Sequence, residues 1–251
     1  MSVFAERIIN FFVVNMPSVK GLFLGGTPSL LWALACLSLA GYLKKYKSWK
    51  TGYTRKLFHF LIFGSVVFIQ WQFGTAGVCL FGAMTSAVIG YAILKGSGHL
   101  LYEAMAREKD RPRQTYYIIA PYFATLLGGI CGSVFFVHTV IFGYLTAGLG
   151  DAIAEPVGVR WGRHKYKTPS LRGVSSERSV EGSGAIFLVS IVAMTIYLRF
   201  SSEFSFSPWN LAMVLLIAVA STLAEAFSPH GWDNATMQIV PSGLGFLLFQ
   251  G

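Results

Sequence analysis

The sequence predicts an all-α fold, a polytopic bundle of transmembrane helices. Hydrophobic residues make up 54% of its 251 residues and charged residues only 12%, whereas soluble domains carry about 25% charged residues. Several apolar runs reach or approach the roughly 20 residues that a helix needs to cross the hydrocarbon core of a bilayer. Because lipid offers the backbone no hydrogen-bonding partners, such runs should be helical. Composition therefore excludes the one or two soluble domains that length alone would allow.

The apolar runs predict about seven or eight transmembrane helices in one integral membrane domain, residues 1–251. Residues 1–27 are apolar but interrupted by polar and charged side chains, so they form either an interfacial helix or a weak first span. Thr27 and Pro28 then provide a helix N-cap and a proline at the first helical position. The expected spans cover residues 27–43, 57–71, 75–94, 116–137, 139–157, 183–200, 208–227 and 235–249.

The basic residues are concentrated in every second loop. Seventeen of the 20 lysines and arginines lie in three loops, and the turns between these loops hold almost none. The three loops contain Lys44, Lys45, Lys47, Lys50, Arg55 and Lys56, then Lys95, Arg107, Lys109, Arg111 and Arg113, and finally Arg160, Arg163, Lys165, Lys167, Arg172 and Arg178. By the positive-inside rule all three face the cytoplasm. Topology and anionic headgroups explain the first two loops as well as a function would, but the third is too long for that explanation alone.

Other features narrow the class of protein without suggesting chemistry. Cys36, Cys79 and Cys131 stand singly in apolar runs, without metal or redox spacing, and are interpreted as packing residues. No cleavable signal or transit peptide is recognisable, so we expect a multi-pass protein of the cell (inner) membrane. Residues 248–251 resemble a protease-site remnant, and no function is assigned to them.

Two acids, Asp151 and Glu155, lie inside an expected span. Ionisable groups in spans are costly and are functional hypotheses by default. Their i,i+4 spacing puts both carboxylates on one helix face, where they would repel each other strongly unless a cation or proton intervened. Mg²⁺ would resolve this conflict, because it prefers hard oxygen ligands combined with phosphates. The alternative is a structural role, with the acids held by backbone amides or by Arg160.

The segment that follows these acids is rich in cations. Arg160, Arg163, Lys165 and Lys167 lie at the expected cytoplasmic end of the helix. Ser179 then precedes the next span, where a hydroxyl and backbone amides would suit a phosphate. Acids and cations on one face predict a metal-bridged polyphosphate. An ion pathway would need the acids but not this dense cationic loop.

Polar residues from other parts of the chain are expected at the same membrane face. They are Arg55, Lys56 and His59 at the start of one span, Glu225 near the end of another, and Asp233 and Asn234 at the start of the last. Taken alone, His59 is explained better as a packed, hydrogen-bonded histidine than as a ligand. The convergence of these groups is a stronger signal than any one of them.

Three stretches together carry a family resemblance: Gly150 to Ala154, the glycines Gly158 and Gly162, and Arg178 to Ser183. With the polar residues just named, they resemble the CTP-dependent polyprenol kinases, which include dolichol, phytol and farnesol kinases and a related yeast-type diacylglycerol kinase. The resemblance covers residues 55–241, the expected catalytic core. Phosphatidate cytidylyltransferases share the central motif, but their long C-terminal motif is not found here. The chain departs from the family in having Arg178 where lysine is usual and a longer stretch over residues 167–177.

The resemblance implies transfer of the γ-phosphate of CTP, or of another nucleoside triphosphate, to a membrane isoprenoid alcohol such as phytol, farnesol, geranylgeraniol or dolichol, with Mg²⁺ as cofactor. Asp151 and Glu155 are the implied catalytic residues, and with Asp233 they are the implied metal ligands. The implied nucleotide and phosphate ligands are Arg55, Lys56, His59, Arg160, Arg163, Lys165, Arg178, Ser179, Glu181, Gly182, Glu225 and Asn234. The active site is expected at the cytoplasmic face.

Other functions stay open at this point. A phosphatidate cytidylyltransferase or a diacylglycerol kinase would use the same kind of site. Inverted repeats would favour a transporter, and the sequence shows no convincing internal repeat. A non-catalytic lipid-binding scaffold would leave the cost of burying Asp151 and Glu155 unexplained. No nucleic-acid partner is expected, and both a homo-oligomer and the identity of the alcohol stay open.

Overall fold

Helices form almost all of the protein, as the composition predicts. The computed structural model describes residues 3–169, 176–229 and 231–249. The chain divides into two compact units, Met1–Ile118 and Ile119–Gly251. The all-α prediction is confirmed for the described residues, which contain one short two-stranded sheet besides the helices.

The first unit is built on two long helices and several short segments. Its elements are α1 (Val3–Val14), α2 (Val19–Gly21), a π-helical turn (Leu22–Gly26), α3 (Thr27–Lys47), α4 (Thr51–Lys95), α5 (Leu100–Glu103), a 3-10 turn (Glu108–Asp110) and the first residues of α6 (Gln114–Phe135). Helix α3 packs along α4 and against α5. The core of this unit is apolar, with Leu37, Phe81 and Ala92 almost completely buried.

The predicted N-cap at Thr27 is wrong, although α3 itself begins at this residue. Helical backbone runs into α3 from the preceding π-helical turn, and Gly26 is itself right-handed helical and makes no side-chain cap. The capping role belongs to Ser18, whose Oγ accepts a hydrogen bond from the Gly21 N–H at 3.1 Å. The candidate span therefore begins at Val19. Helix α1, with 12 residues, is shorter than the roughly 17 residues that a transmembrane helix needs.

Helix α4 combines two of the predicted spans. Its 45 residues would extend about 67 Å at 1.5 Å per residue, more than twice the roughly 30 Å of a bilayer core. Gly74 interrupts it with φ 64° and ψ −164°, a conformation that is accessible mainly to glycine. The break lies between the predicted spans 57–71 and 75–94, so it supports two helical segments at these positions.

The second unit contains the remaining helices and the sheet. After α6 come α7 (Val140–Leu145), a π-helical turn (Thr146–Gly150), α8 (Asp151–Trp161), the strands β1 (Lys165–Thr168) and β2 (Ser176–Ser179), and the helices α9 (Val180–Phe200), α10 (Pro208–Phe227) and α11 (Asp233–Phe249). Helix α9 packs against α8 and α10, and α11 packs against α10 and α7. This arrangement brings the ends of α8, α10 and α11 within reach of the hairpin.

The third basic loop is a β-hairpin rather than an irregular loop. Strands β1 and β2 are antiparallel, and Tyr166 pairs with Arg178 while Lys167 pairs with Glu177. Because side chains alternate along a strand, Tyr166 and Arg178 share one face of the hairpin. The Val180 N–H donates to the His164 carbonyl at 2.9 Å and extends the ladder to the start of α9. Residues 170–175, including the basic-loop residue Arg172, lie outside the described residues.

Five helices in the described part of the chain are long and apolar enough to cross a membrane. They are Val19–Lys47, Thr51–Lys95, Gln114–Phe135, Val180–Phe200 and Pro208–Phe227. The predicted count of seven or eight is therefore not confirmed. Two predicted spans are joined in α4, the predicted span 139–157 is divided between α7, the π-helical turn and α8, and α11 has only 17 residues.

Candidate active site

The end of α8 approaches the start of α9 closely because glycines line the contact. A Cβ atom added to Gly158 would lie 2.8 Å from Ser179 Oγ, and one added to Gly182 would lie 3.1 Å from the Ala154 carbonyl oxygen. At Gly162 an added Cβ would lie 2.7 Å from Ser179 Oγ and would overlap the Gly158 carbonyl oxygen. Side chains at these positions would push the two helices apart, since protein interiors leave little room for extra atoms.

Hydrogen bonds of polar residues connect the hairpin to the start of α9. Ser179 is the N-cap of α9, and its Oγ accepts from the Gly182 N–H at 3.1 Å. Glu181, in the first turn, accepts from His164 Nδ1 at 2.8 Å and from the His164 backbone N–H at 3.3 Å. Three predicted nucleotide residues, Ser179, Glu181 and Gly182, therefore have local structural contacts at the base of the hairpin.

Arg178 links the hairpin to the ends of two helices. Its Nε lies 2.8 Å from Glu225 Oε1, near the end of α10, and its Nη2 lies 2.8 Å from Asp233 Oδ2, at the start of α11. The side chains of Arg178 and Glu225 are only 12% and 7% exposed. Such charge-assisted bonds are short and directional. One predicted phosphate ligand and two predicted acids therefore form one buried cluster.

Tyr166 and Ser183 extend this cluster, and neither was assigned a role from the sequence. Ser183 Oγ donates to Glu225 Oε2 at 3.4 Å, and the Tyr166 Oη lies 2.6 Å from Ser183 Oγ. Burial is the largest influence on the pKa of the Tyr166 phenol and raises it. The Ser183 hydrogen bond lowers this pKa by less, the nearby Glu225 charge raises it, and the Arg178 charge lowers it. Tyr166 therefore stays protonated at neutral pH and can donate to Ser183. The sequence shows that Ser183 lies about one helical turn after Ser179. It does not reveal the register of the hairpin.

Asn234, a predicted nucleotide ligand, makes its side-chain contacts with α6. Its Nδ2 donates to the Pro121 carbonyl at 3.2 Å and to Thr125 Oγ1 at 2.9 Å, both on α6. The side chain is buried. One turn later on α11, Gln238 Nε2 donates to the Thr125 carbonyl at 3.0 Å. Asn234 thus joins α11 to α6, next to Asp233 but directed to different partners.

The two acids of α8 differ in exposure. Asp151 is buried, 6% exposed, and follows directly on the π-helical turn. Glu155 lies one turn later and is partly exposed. Short π-helical segments inside helices occur frequently at functional sites. Beyond these acids Arg160, Arg163 and Lys165 are exposed, so their charges are accessible to a ligand.

The chain is similar in sequence to known kinases. The chain is 30% identical to a phytol kinase from a Synechocystis species over 202 residues, which are 79% of this chain and 78% of that protein. The chain belongs to the polyprenol kinase family. This family member is also 22% identical to a dolichol kinase of Saccharomyces cerevisiae over 201 residues, 78% of the chain and 37% of that protein. No family model and no solved structure matches the chain.

The remaining predicted ligands of this polyprenol kinase family member lie in its first unit, in the first turns of α4. Lys56 is buried, and Arg55 and His59 are partly exposed. The His59 ring lies against Phe63, with 4.6 Å between ring centroids. That contact agrees with a packed histidine. A nucleotide role for these three residues stays a prediction.

The arrangement of the described side chains limits how a metal ion can be bound. Within the described ranges no group of three or more His, Cys, Asp or Glu side chains is arranged to hold a metal ion. This finding speaks against a site built from protein ligands alone in that part of the chain. Mg²⁺ commonly uses only one or two carboxylates together with substrate phosphates, and Asp151 and Glu155, one helical turn apart, fit that mode.

Proposed function

We propose that this polyprenol kinase transfers the γ-phosphate of CTP to the hydroxyl of an isoprenoid alcohol dissolved in the membrane. The observation that carries the proposal is the buried Asp151 on α8, a helix that glycines hold against a cationic hairpin. Similarity to a phytol kinase over 79% of the chain supports an isoprenoid alcohol as the acceptor. The three basic loops support a reaction at the cytoplasmic face.

Phosphoryl transfer depends mainly on positioning and on stabilising charge. Asp151 accepts the proton of the attacking hydroxyl or holds the metal, and Glu155 assists it from the next turn. The exposed side chains of Arg160, Arg163 and Lys165 neutralise the phosphates. When bound, Mg²⁺ would be held by Asp151 and Glu155 and would supply positive charge that neutralises the phosphates.

Arg178 was predicted among the phosphate ligands, but its surroundings favour another role. It lies between the carboxylates of Glu225 and Asp233, which offset its positive charge. A cation that is already paired with two acids attracts a polyphosphate weakly. We therefore assign phosphate binding to the exposed side chains of Arg160, Arg163 and Lys165.

The proposal is tested with purified protein, Mg²⁺, and a mixture of isoprenoid alcohols, diacylglycerol and phosphatidic acid. Parallel reactions contain CTP labelled at the γ- or the α-phosphate, with γ-labelled ATP as a further arm. Label that reaches an isoprenoid alcohol only from γ-labelled CTP is the expected result. Label from α-labelled CTP would make the protein a cytidylyltransferase, and label in diacylglycerol would make it a diacylglycerol kinase. No transfer from any nucleotide would refute the kinase proposal.

A further inference from the structure

The Arg178 cluster is a polar site without an assigned ligand. We propose that Nη1 of Arg178 and the carboxylate of Asp233 together recognise a nucleobase that presents an acceptor beside an exocyclic amine, as cytosine does. The inference rests on the proposed use of a nucleoside triphosphate. It deepens that proposal because it names the residues that distinguish one pyrimidine from another.

Two carboxylates fix the orientation of the Arg178 guanidinium. Its Nε and Nη2 form one edge of the planar group, and each binds a carboxylate at 2.8 Å. The Nη1 atom is buried and has no hydrogen-bond partner within the described residues. A buried donor without an acceptor loses its hydration without compensation, so such groups are rare in native proteins. Nη1 therefore marks a position where a ligand supplies an acceptor.

The pairing of Arg178 restricts the kind of acceptor. Two carboxylates lie 2.8 Å from its guanidinium and offset its positive charge. A cation paired in this way attracts a polyphosphate weakly, whereas an uncharged base needs no net positive charge at its site. The exposed cations Arg163 and Lys165, at the start of the hairpin, suit the phosphates better.

Asp233 has acceptor capacity beyond its contact with Arg178. Its side chain is 17% exposed, against 7% for Glu225. It accepts from Arg178 Nη2 and, through Oδ1, from the Asn234 N–H at 3.2 Å, whereas an ionised carboxylate offers about four lone-pair positions. Carboxylates bind the exocyclic amine of cytosine in nucleic acids. Uracil has an acceptor at that position and would meet a second acceptor.

Neighbouring hydroxyl groups support the cluster. The Ser183 hydroxyl holds the second oxygen of Glu225, and Tyr166 lies within hydrogen-bonding distance of Ser183. These contacts restrict the rotamer of Glu225 and, through it, the orientation of Arg178, as a preorganised binding site requires. Because Tyr166 and Arg178 are paired across the hairpin, an aromatic ring lies on the same face, where a base can stack.

The test compares kcat/KM for CTP and for UTP in Asp233→Asn. Asparagine adds a donor that suits uracil, so the CTP-to-UTP ratio should fall by roughly 10- to 100-fold, the discrimination typical of paired base contacts. The ratio is independent of the amount of folded protein. The control is Asp110→Asn, which removes a buried aspartate paired with Arg107 in the first unit and should leave the ratio unchanged. An unchanged ratio in Asp233→Asn, including an equal loss with both nucleotides, overturns the inference.

A binding measurement separates this inference from the proposed function. Thermal stabilisation of the protein by CTP and by UTP is measured without lipid acceptor, in wild type and in Asp233→Asn. Greater stabilisation by CTP that disappears in the variant supports base recognition even when no alcohol is phosphorylated. Equal stabilisation and equal turnover with both nucleotides in wild type overturn base recognition and leave the lipid kinase proposal standing.

Discussion

The two units of the protein bury charged groups in different ways. In the first unit Lys44 pairs with Glu103, and Arg107 pairs with Asp110 at 2.7 Å, so each of these pairs is balanced in charge. In the second unit a single arginine, Arg178, lies between two acids. A buried charge is costly unless it is paired and hydrogen-bonded, and Arg178 meets this condition by joining the hairpin to the ends of α10 and α11. One cation therefore connects three elements in the second unit, whereas Arg107 and Asp110 of the first unit lie in one local turn.

Glycines differ in how closely other elements approach them. On α4 an added Cβ at Gly82 would meet no atom within 4 Å, whereas at Gly162, after α8, it would meet Ser179 and the Gly158 carbonyl. Position 162 thus needs glycine to keep two elements together. Position 82 does not require glycine for packing.

The largest expected effect on stability follows from this contrast. Gly162→Ala should lower the free energy of unfolding by about 1–3 kcal/mol, because the added methyl group overpacks the α8–α9 contact. Gly82→Ala should be neutral or stabilising by up to ~1 kcal/mol, since alanine has the higher helix propensity. Thermal unfolding in detergent measures both. Equal melting temperatures for the two variants would contradict the described packing.

A smaller effect is expected from removing helix caps. Ser179 Oγ caps α9 and Ser207 Oγ caps α10, each by accepting a backbone N–H bond at 3.1 Å. Ser179→Ala and Ser207→Ala should each cost about 1 kcal/mol of stability. Only Ser179→Ala should also reduce phosphoryl transfer per folded molecule, because Ser179 lies at the candidate site. Equal activity losses in the two variants would remove Ser179 from that site.

The smallest effect is expected at Tyr166. Its pKa is raised above the ordinary value of 10.0, so the folded state holds the phenolic proton more tightly than the unfolded state. Stability is therefore unaffected below that value and falls as the pH rises above it. In unfolding experiments across this alkaline range, Tyr166→Phe should lose less stability than wild type. An identical alkaline decline in both proteins would show that Tyr166 does not cause it.

Much of the fold was predictable because helix signals lie close together in the sequence. The predicted span 208–227 has the observed bounds of α10, since Ser207 provides the N-cap and Pro208 follows at the first helical position. The hairpin was not predicted because the residues of β1 and β2 are mostly polar or charged and lack the apolar alternation that indicates a strand. Thr27 is not an N-cap because helical backbone precedes it.

The candidate site was predictable as a set of residues but not as an arrangement. Asp151, Arg178, Glu225 and Asp233 could each be singled out because ionisable residues in or beside apolar spans are costly. The pairing of Arg178 with Glu225 and Asp233 depends on contacts between α10, α11 and the hairpin, and local sequence patterns contain no information on such distant contacts. The role of Ser183 was missed for the same reason, since its partner Glu225 belongs to another helix.

The central claim is that the buried acid of the second unit carries the chemistry, and two aspartates allow a direct test. Asp151 and Asp110 are both buried, at 6% and 8% exposure, one in each unit. The measurement is γ-phosphate transfer from CTP to an isoprenoid alcohol by Asp151→Asn and Asp110→Asn, per molecule of folded protein. The account predicts that Asp151→Asn abolishes transfer, while Asp110→Asn lowers stability and retains activity. Retained transfer in a folded Asp151→Asn protein would contradict it.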